Sequence, residues 1–117
     1  MTKSKENRYC VLFITAATAD QAREMAQTLV EDRLVACANV LPPMQSIFRW
    51  QGKICRETEA LIVAKSLKSH VQRIVEEVKQ LHSYDVPEII ALPITGGSPE
   101  YLRWIDEVLG EGASSTQ

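Results

Sequence analysis

Residues 82–88 carry side chains whose types and spacing could do chemistry. An imidazole, a phenol and two carboxylates, those of His82, Tyr84, Asp85 and Glu88, lie around Pro87 in this short segment. A neutral imidazole nitrogen is a common metal ligand, but a histidine at a helix end can also simply satisfy the last free carbonyls. Because a metal site normally has three or four ligands, His82 needs partners from elsewhere. Glu88 has no local structural reason to stand at the start of a strand, so we predict that its carboxylate belongs to a binding site.

A second set of polar side chains lies along residues 53–65, which read as a strand. Alternation puts Glu57, Glu59 and Lys65 on one face of that strand. Such a face is usually solvated. Two glutamates on a long strand can also meet the polar turn of a neighbouring subunit, which predicts a cleft between subunits. The binding candidates for this cleft are Trp50, Glu57, Glu59, Lys65, Tyr84 and Glu88.

The other histidine and the cysteines are assigned structural roles. His70 is expected on the surface, in the first turn of its helix. Cys37 is expected to be a small core residue, although its sulfur would suit copper if it were exposed. With Cys10 and Cys55 the cysteines are odd in number and form no CxxC pair. They are therefore interpreted as small buried residues rather than disulfide partners.

Several enzyme mechanisms lack their required parts in this sequence. The glycines, at positions 52, 96, 97, 110 and 112, form no phosphate-cradling loop. Neither G-x-S-x-G nor H-E-x-x-H occurs. Gly96 and Gly97 precede Ser98 and could hold an anion weakly, but a helix cap explains them. We therefore predict no catalytic activity.

The composition is ordinary for a soluble globular domain. The chain has 117 residues, 45% hydrophobic and 24% charged, with a net charge of −2. This mild negative charge disfavours nucleic-acid binding, and residues 53–65 offer no aromatic side chain for base stacking. No apolar run approaches the ~20 residues of a membrane helix. The N-terminal MTKSKENR lacks the apolar core of a signal peptide, so a cytoplasmic location is expected.

Apolar patterns predict four strands and three helices in βαββαβα order. The apolar run YCVLFITA predicts a strand covered on both faces. Thr18 with Gln21 predicts a capping box for the first helix, and Ser66 or Ser69 is expected to cap the second. Ser98 is the expected cap of the third. The predicted strands cover residues 9–16, 34–50, 53–65 and 88–94, and the apolar helix stripes cover residues 22–30, 71–81 and 102–109.

This order predicts a ferredoxin-like sandwich of the α+β class with an extra C-terminal helix. Right-handed crossovers place the first and third strands in the centre of the sheet and the other two at its edges. Pro42, Pro43 and Pro93 fall only in the predicted edge strands, where proline is tolerated. One domain is expected over residues 1–117, with an ordered part at about 8–109 between polar tails.

The hairpin between the second and third strands is longer than its neighbours. Gln51 and Gly52 form its predicted tip. An isolated ribbon is marginal in water, and an open strand edge invites pairing. We therefore predict a homo-oligomer formed through edge-strand pairing, because an apolar aromatic patch on a ribbon usually marks an interface. The apolar side chains at the far end of the ribbon are Ile47, Phe48, Trp50 and Ile54.

Several blocks of this sequence resemble the CutA family of divalent-cation tolerance proteins. They are RLVACANVLP, the W-x-G-K-I block that begins at Trp50, the E-x-E of Glu57 and Glu59, Lys65, and HSYDVPEI followed by LPI. The resemblance covers residues 9–109. It implies a ferredoxin-like protomer in a tight trimer similar to the PII signalling proteins. It also implies a link to tolerance of copper and other divalent cations, with no established catalytic activity.

The resemblance also implies metal ligands. The copper ligands proposed in the family are a cysteine in the first strand and a histidine pair at the end of the second helix. The matching positions here are Ile14 and the pair Leu81 and His82, so only His82 is carried over. We predict a cytoplasmic homotrimer that binds divalent metal, copper above others, weakly through His82 and carboxylates from neighbouring subunits.

Three alternatives stay open at this point. The first is a PII-like sensor or signalling trimer without a direct metal role, which binds a small anionic metabolite with Lys65 and the helix start after Gly97 as donors. The second is an enzyme that uses Glu59, Glu88 and His82 as acid and base. The third is a purely structural trimer with an indirect link to metals.

Overall fold

The predicted order of elements is confirmed by a computed structural model, which describes residues 8–110. The expected polar tails, at residues 1–7 and 111–117, lie outside the described residues. Within the described part, no helix combines the length and the apolar character needed to cross a membrane. The elements are β1 (Tyr9–Ala16), α1 (Ala19–Glu31), β2 (Cys37–Trp50), β3 (Lys53–Leu67), a 3₁₀ turn (Lys68–His70), α2 (Val71–Leu81), β4 (Ile89–Pro93) and α3 (Pro99–Leu109).

The sheet has the predicted topology, with β1 and β3 in the centre. Its strand order is β2-β3-β1-β4, and all neighbours are antiparallel. Pro93 lies on edge strand β4, and Pro42 and Pro43 lie on edge strand β2. The β2–β3 register shifts between Leu41 and Met44, where the two prolines lie. An irregularity there lets the edge strand continue without disturbing an inner ladder. The ferredoxin-like α+β prediction is confirmed.

One face of the sheet packs against α1 and α2 and forms the main core. Alternate residues of β1 and β3 point to this face, as the period of two requires. Because a slip of one residue would turn these apolar side chains toward water, the core fixes the register of both central strands. Its buried members include Cys10, Leu12, Ile14, Ala60, Ile62 and Ala64 from the sheet, and Met25, Leu29, Ile74 and Val78 from the helices.

The opposite face of the sheet is apolar and only partly covered. α3 packs over one end of it, where Leu67, Ile105 and Leu109 form a smaller buried cluster. The remaining apolar side chains on this side are half-buried or exposed in the protomer. We call them the open face: Val11, Phe13, Leu41, Leu61, Val63, Ile90 and Leu92.

Two of the three predicted helix starts are confirmed. The Thr18 hydroxyl accepts a hydrogen bond from the Gln21 amide at 3.0 Å. The Gln21 side chain accepts one from the Ala17 amide at 3.0 Å, one residue before the cap itself. Ser98 caps α3 by accepting from the Tyr101 amide at 3.4 Å, with proline at the first helical position.

The prediction that Ser66 or Ser69 caps the second helix is wrong. β3 continues through Ser66, whose buried hydroxyl donates to the Leu34 carbonyl at 2.6 Å. A buried hydroxyl needs such a partner, so this serine serves the strand rather than the helix. Ser69 lies in the 3₁₀ turn, and α2 begins after that turn without a side-chain cap.

Tyr9, the first residue of β1, and Arg8, just before it, bind α3. The Asp106 carboxylate accepts a hydrogen bond from Arg8 Nε at 2.7 Å and another from the Tyr9 hydroxyl. An Arg8–Asp106 ion pair of 2.6 Å accompanies them. These bonds join the last turns of α3 to the central strand of the sheet.

Residues 44–59 form a two-stranded ribbon that extends beyond the rest of the sheet. β1 ends at the pair Ala16–Ala60, so β3 before that point pairs only with β2. Gln51 and Gly52 both have positive φ, 51° and 79°, which is the backbone of a tight two-residue hairpin turn. The ribbon's apolar side chains are uncovered, as predicted: Ile47 is 61% exposed, Phe48 39%, Trp50 56% and Ile54 57%.

Candidate functional site

A groove of about 780 Å³ lies between the ribbon and the loop that joins α2 to β4. It brings together five of the six cleft candidates, all except Lys65. Thr15, at the end of β1, lies between the two sides. The ribbon contributes Ser46, Ile47, Phe48, Trp50, Cys55, Glu57 and Glu59, and the loop contributes Tyr84, Asp85, Val86 and Glu88.

Strand register places the ribbon side chains in the groove. Ser46 pairs with Glu57, and Phe48 pairs with Cys55, so these four side chains share one face of the ribbon. Glu59, two residues beyond Glu57, is on that face as well. The predicted common face of Glu57 and Glu59 is therefore confirmed.

Pairing of β4 with β1 places the loop in the groove. Ile14 pairs with Ile89, and the Thr15 amide donates to the Glu88 carbonyl at 3.3 Å. Because β1 stops at Ala16, residues 84–88 lie beside the part of β3 that β1 does not cover. The sequence predicted that the turn of one chain would meet the glutamates of another. The structure makes this contact within one chain.

The groove is acidic. Glu57, Glu59, Asp85 and Glu88 line it, and no lysine or arginine within residues 8–110 does. Glu59 is only 8% exposed and makes no ion pair in the described part of the chain. Burial raises the pKa of the neighbouring Tyr84 hydroxyl, and the charge of Glu59 and a hydrogen bond with it raise that pKa further. The groove thus holds a nearly buried carboxylate without a cationic partner.

His82 lies behind the groove and bonds to two residues that line it, Thr15 and Tyr84. Its Nε2 lies 2.6 Å from the Thr15 carbonyl, which can only accept, so Nε2 carries the hydrogen. Its Nδ1 then accepts from the Tyr84 amide at 3.0 Å. The ring is 9% exposed and does not line the groove; its centroid lies 4.7 Å from that of the Tyr84 ring, with the two planes tilted by 47°. In this arrangement a metal ion can coordinate His82 Nδ1 only if the hydrogen bond from the Tyr84 amide is broken.

One chain offers no complete metal site in the part that the structure describes. No group of three or more histidine, cysteine, aspartate or glutamate side chains is placed to hold an ion within residues 8–110. Ile14, at the position of the family's proposed cysteine ligand, is fully buried, and Leu81 is 38% exposed. Cys10 is buried, and burial raises the pKa of its thiol to about 11, so it stays protonated at neutral pH. The donors that the groove offers a cation are therefore the carboxylates of Glu57, Glu59, Asp85 and Glu88 and the thiol of Cys55.

Lys65 and Cys37 lie elsewhere, beside each other on the side of the sheet that α1 and α2 leave uncovered. The Lys65 ammonium donates to the Asn39 side-chain oxygen, and Lys65 Nζ lies 3.8 Å from Cys37 Sγ. The expectation that Cys37 is a core residue is wrong, because pairing with Lys65 puts it on this side, where it is partly exposed. Lys65 does not reach the groove.

The remaining candidates also lie outside the groove. His70 is half-buried rather than on the surface, with Nδ1 3.3 Å from the Leu34 carbonyl. Gly96 and Gly97 are exposed before α3 and line no part of the groove. The donor set suggested for an anionic metabolite, Lys65 with the helix start after Gly97, is not brought into the groove.

Several residues that line the groove were not predicted from the sequence. Ser46, Phe48 and Cys55 could have been found, because a two-residue turn at Gln51 fixes which ribbon residues face Glu57. Thr15 gives no such signal, because its place depends on the pairing of β1 with β4. The same holds for Val86, whose position is set by a loop rather than by a repeating pattern.

Comparisons of this chain with a family model, with related sequences and with solved structures all point to the same protein family. The family model described as "CutA1 divalent ion tolerance protein" matches residues 10–108. The divalent-cation tolerance protein CutA of Thermus thermophilus is 45% identical over 100 residues, which cover 86% of this chain and 97% of that protein. The chloroplastic protein CutA of Arabidopsis thaliana is 39% identical over 81% of this chain, which spans only 52% of that relative. The crystal structure of CutA1 from Oryza sativa superposes with a TM-score of 0.86 at 34% identity, covering 92% of this chain and 99% of that one.

Proposed function

Since this chain belongs to the CutA1 family of divalent ion tolerance proteins, we propose that it takes part in the tolerance of divalent cations and binds them in its acidic groove. The observation that carries this proposal is Glu59, a carboxylate that is 8% exposed and has no ion pair in the described residues. Burying a carboxylate that no cation balances is costly even when a neutral hydroxyl bonds to it, and a bound cation offsets that cost. Glu57, Asp85 and Glu88 add further negative charge along the same groove.

Copper is the divalent ion that we expect to bind most tightly. Carboxylate oxygens also accept magnesium, calcium and manganese, but affinities of a given site for first-row divalent metals peak at copper. The groove carboxylates are not gathered as a complete ligand set in one chain, so binding is expected to be weak or transient. His82 contributes by holding Tyr84 in place, and it coordinates the ion only if its Nδ1 gives up the Tyr84 amide.

We propose that the protein acts as a homotrimer in the cytoplasm, without catalytic activity. The open face supports self-association, because Ile90 and Leu92 are 49% and 43% exposed beside half-buried Phe13 and Val63. An uncovered apolar sheet face of this kind usually marks an interface. The free edges of β2 and β4 offer backbone groups for strand pairing between copies. The proposed number of chains in the oligomer, three, is taken from the family resemblance.

The alternative of a PII-like sensor for an anionic metabolite receives no support from the groove. An anion would face four carboxylates, and Lys65 lies away from them with its ammonium bonded to Asn39. The acidic lining therefore favours a cation as the ligand.

Isothermal titration with Cu(II) tests the metal proposal. Wild-type protein should bind at tens of micromolar or better, and Glu59→Gln should bind about ten-fold more weakly because it loses a charged ligand. Glu24→Gln, which removes an exposed charge from α1, serves as the matched control. Absence of Cu(II) binding, or equal affinity in wild type and Glu59→Gln, would remove the metal role of the groove.

A further inference from the structure

The groove combines negative charge with a large apolar wall. Beside Glu57 and Glu59 lie Phe48, Trp50 and Val86, which are 39%, 56% and 78% exposed. A hydrated metal ion gains from the carboxylates but leaves this apolar wall in contact with water. Apolar side chains gathered around a few polar groups are instead typical of sites for organic molecules. The volume of about 780 Å³ lies within the range of such sites.

Glu59 gives a separate indication of the ligand's charge. It is more than nine-tenths buried at the edge of the groove, and no cation pairs with it in the part of the chain that the structure describes. The Tyr84 hydroxyl beside it is neutral and cannot balance its charge. An ammonium group bound here would form a charge-assisted hydrogen bond with a carboxylate already shielded from water, where such bonds are strong.

We propose that the groove binds a linear alkyl polyamine. One ammonium group meets Glu59, a second meets the outer carboxylates Asp85 and Glu88, and the methylene chain between them lies against Phe48 and Val86. The Trp50 indole attracts an ammonium group through its ring face. This inference goes beyond the metal proposal and does not depend on it.

The number of charges favours a polyamine over a single ammonium ion. Four carboxylates line the groove and no lysine or arginine of residues 8–110 does. A ligand with one charge would leave most of this negative charge unbalanced. A flexible chain with two or three ammonium groups can balance it, and its apolar segments cover the wall that would otherwise face water.

Titration calorimetry with spermidine on the full-length protein, freed of metal by a chelator, tests the proposal. Wild type should bind spermidine, and choline, with one fixed charge, should bind more weakly. Glu59→Gln should weaken spermidine binding by about ten-fold or more, the effect of losing a charged hydrogen-bond partner. Trp50→Leu should weaken it by about three-fold or more through the loss of the cation–π contact. Glu24→Gln removes an equal charge from the exposed side of α1 and should leave the affinity unchanged.

The same variants separate this proposal from the metal proposal. Trp50 offers no metal ligand, so Trp50→Leu should keep the wild-type affinity for Cu(II) while it loses affinity for spermidine. If Glu59→Gln fails to fold, exposed Glu57→Gln replaces it, because both residues line the groove. Equal spermidine affinity in wild type, Trp50→Leu and the glutamate variant would overturn the proposal. An equal loss in Glu24→Gln would also overturn it, since general surface charge would then explain the binding.

A second copy of the chain is the competing occupant. The ribbon carries the cations Arg49, Lys53 and Arg56, all exposed, and one of them could enter the groove of a neighbour. In that case wild type would not bind spermidine at millimolar concentration. That result would overturn the proposal.

Discussion

The imidazole of His82 donates a hydrogen bond to the backbone carbonyl of Thr15 at 2.6 Å, which joins the end of α2 to the end of β1. The other ring nitrogen accepts from the Tyr84 amide at 3.0 Å. One side chain therefore ties the loop that lines the groove to the central strand of the sheet. This arrangement makes His82 a positioning residue for Tyr84 and its neighbours.

His82→Ala should lower the free energy of unfolding by about 2 kcal/mol, because two hydrogen bonds are lost and the Thr15 carbonyl loses its partner. Urea unfolding measures this loss. His70→Ala is the control, since His70 is more exposed and its single contact to Leu34 is 3.3 Å long. An equal effect of the two substitutions would contradict the positioning role.

Asp106 should make stability depend on pH in the acid range. Burial acts to raise the pKa of this carboxyl, but hydrogen bonds from Arg8 and Tyr9 outweigh it and lower the pKa below its ordinary value of 3.8. A carboxyl with a depressed pKa stabilises the folded state above its unfolded pKa, and this contribution is lost as the pH falls through the folded value. Asp106→Asn should therefore cost about 1 kcal/mol at pH 7, a figure reduced for the solvent exposure of Arg8.

The difference between Asp106→Asn and wild type should shrink as the pH is lowered below 3.8. Urea unfolding at several pH values measures it. Glu107→Gln, an exposed neighbour on α3, should change stability little across the same range. A difference that stays constant from neutral to acid pH would show that the ion pair with Arg8 is not its source.

The three cysteines should react at different rates with iodoacetamide in the folded protein. Cys10 is buried and its thiol has a pKa raised to about 11, so it should be the slowest. Cys55 is partly exposed and lines the groove, so it should be labelled readily. Mass spectrometry of the digested protein gives the order, and labelling in denaturant provides the reference. Fast native labelling of Cys10 would contradict the core packing.

The hairpin turn offers a test of backbone strain. Gln51 adopts a φ of 51°, which favours asparagine or glycine over glutamine. Gln51→Asn should therefore stabilise the protein by about 0.5 kcal/mol. Gly52→Ala should destabilise it by about 1 kcal/mol, because Gly52 has a φ of 79° although an added Cβ would meet nothing. Thermal unfolding of both variants tests whether the first raises and the second lowers the stability of the protein.

Self-association through the open face should be visible by light scattering. A mass of about three times 13.1 kDa is expected. Val63→Lys places a charge in the middle of the open face and should produce protomers, whereas Gln72→Lys on the outer side of α2 should not. A particle of protomer mass for the wild type would contradict the homotrimer.

Most of the fold could be predicted from the sequence because its signals are local and repeated. The alternation along β3, the restriction of strand prolines to β2 and β4, and the cap at Thr18 can each be read from residues close together in sequence. The prediction that Ser66 caps a helix, the usual role of a serine just before one, is wrong. Its role is instead set by a carbonyl 32 residues away, that of Leu34.

The candidate site was harder to predict for the same reason. Chemistry and alternation pointed to Glu57, Glu59 and Glu88, and all three line the groove. Lys65 shares the strand parity of the glutamates but lies farther along β3, beyond the reach of the ribbon. His82 was expected as a ligand because imidazole binds metals. A partner on β1, Thr15, occupies one of its nitrogens, and no local pattern announces that contact.

The two-residue turn at Gln51 and Gly52 has a consequence for the order of folding. It closes the β2–β3 hairpin through contacts between near neighbours in sequence, which form quickly because little chain entropy is lost. The bond between His82 and Thr15 spans 67 residues and must wait until the ends of two distant segments have met. A newly made chain is therefore expected to form its ribbon before its groove, so that a ligand can be held only after these distant segments have docked.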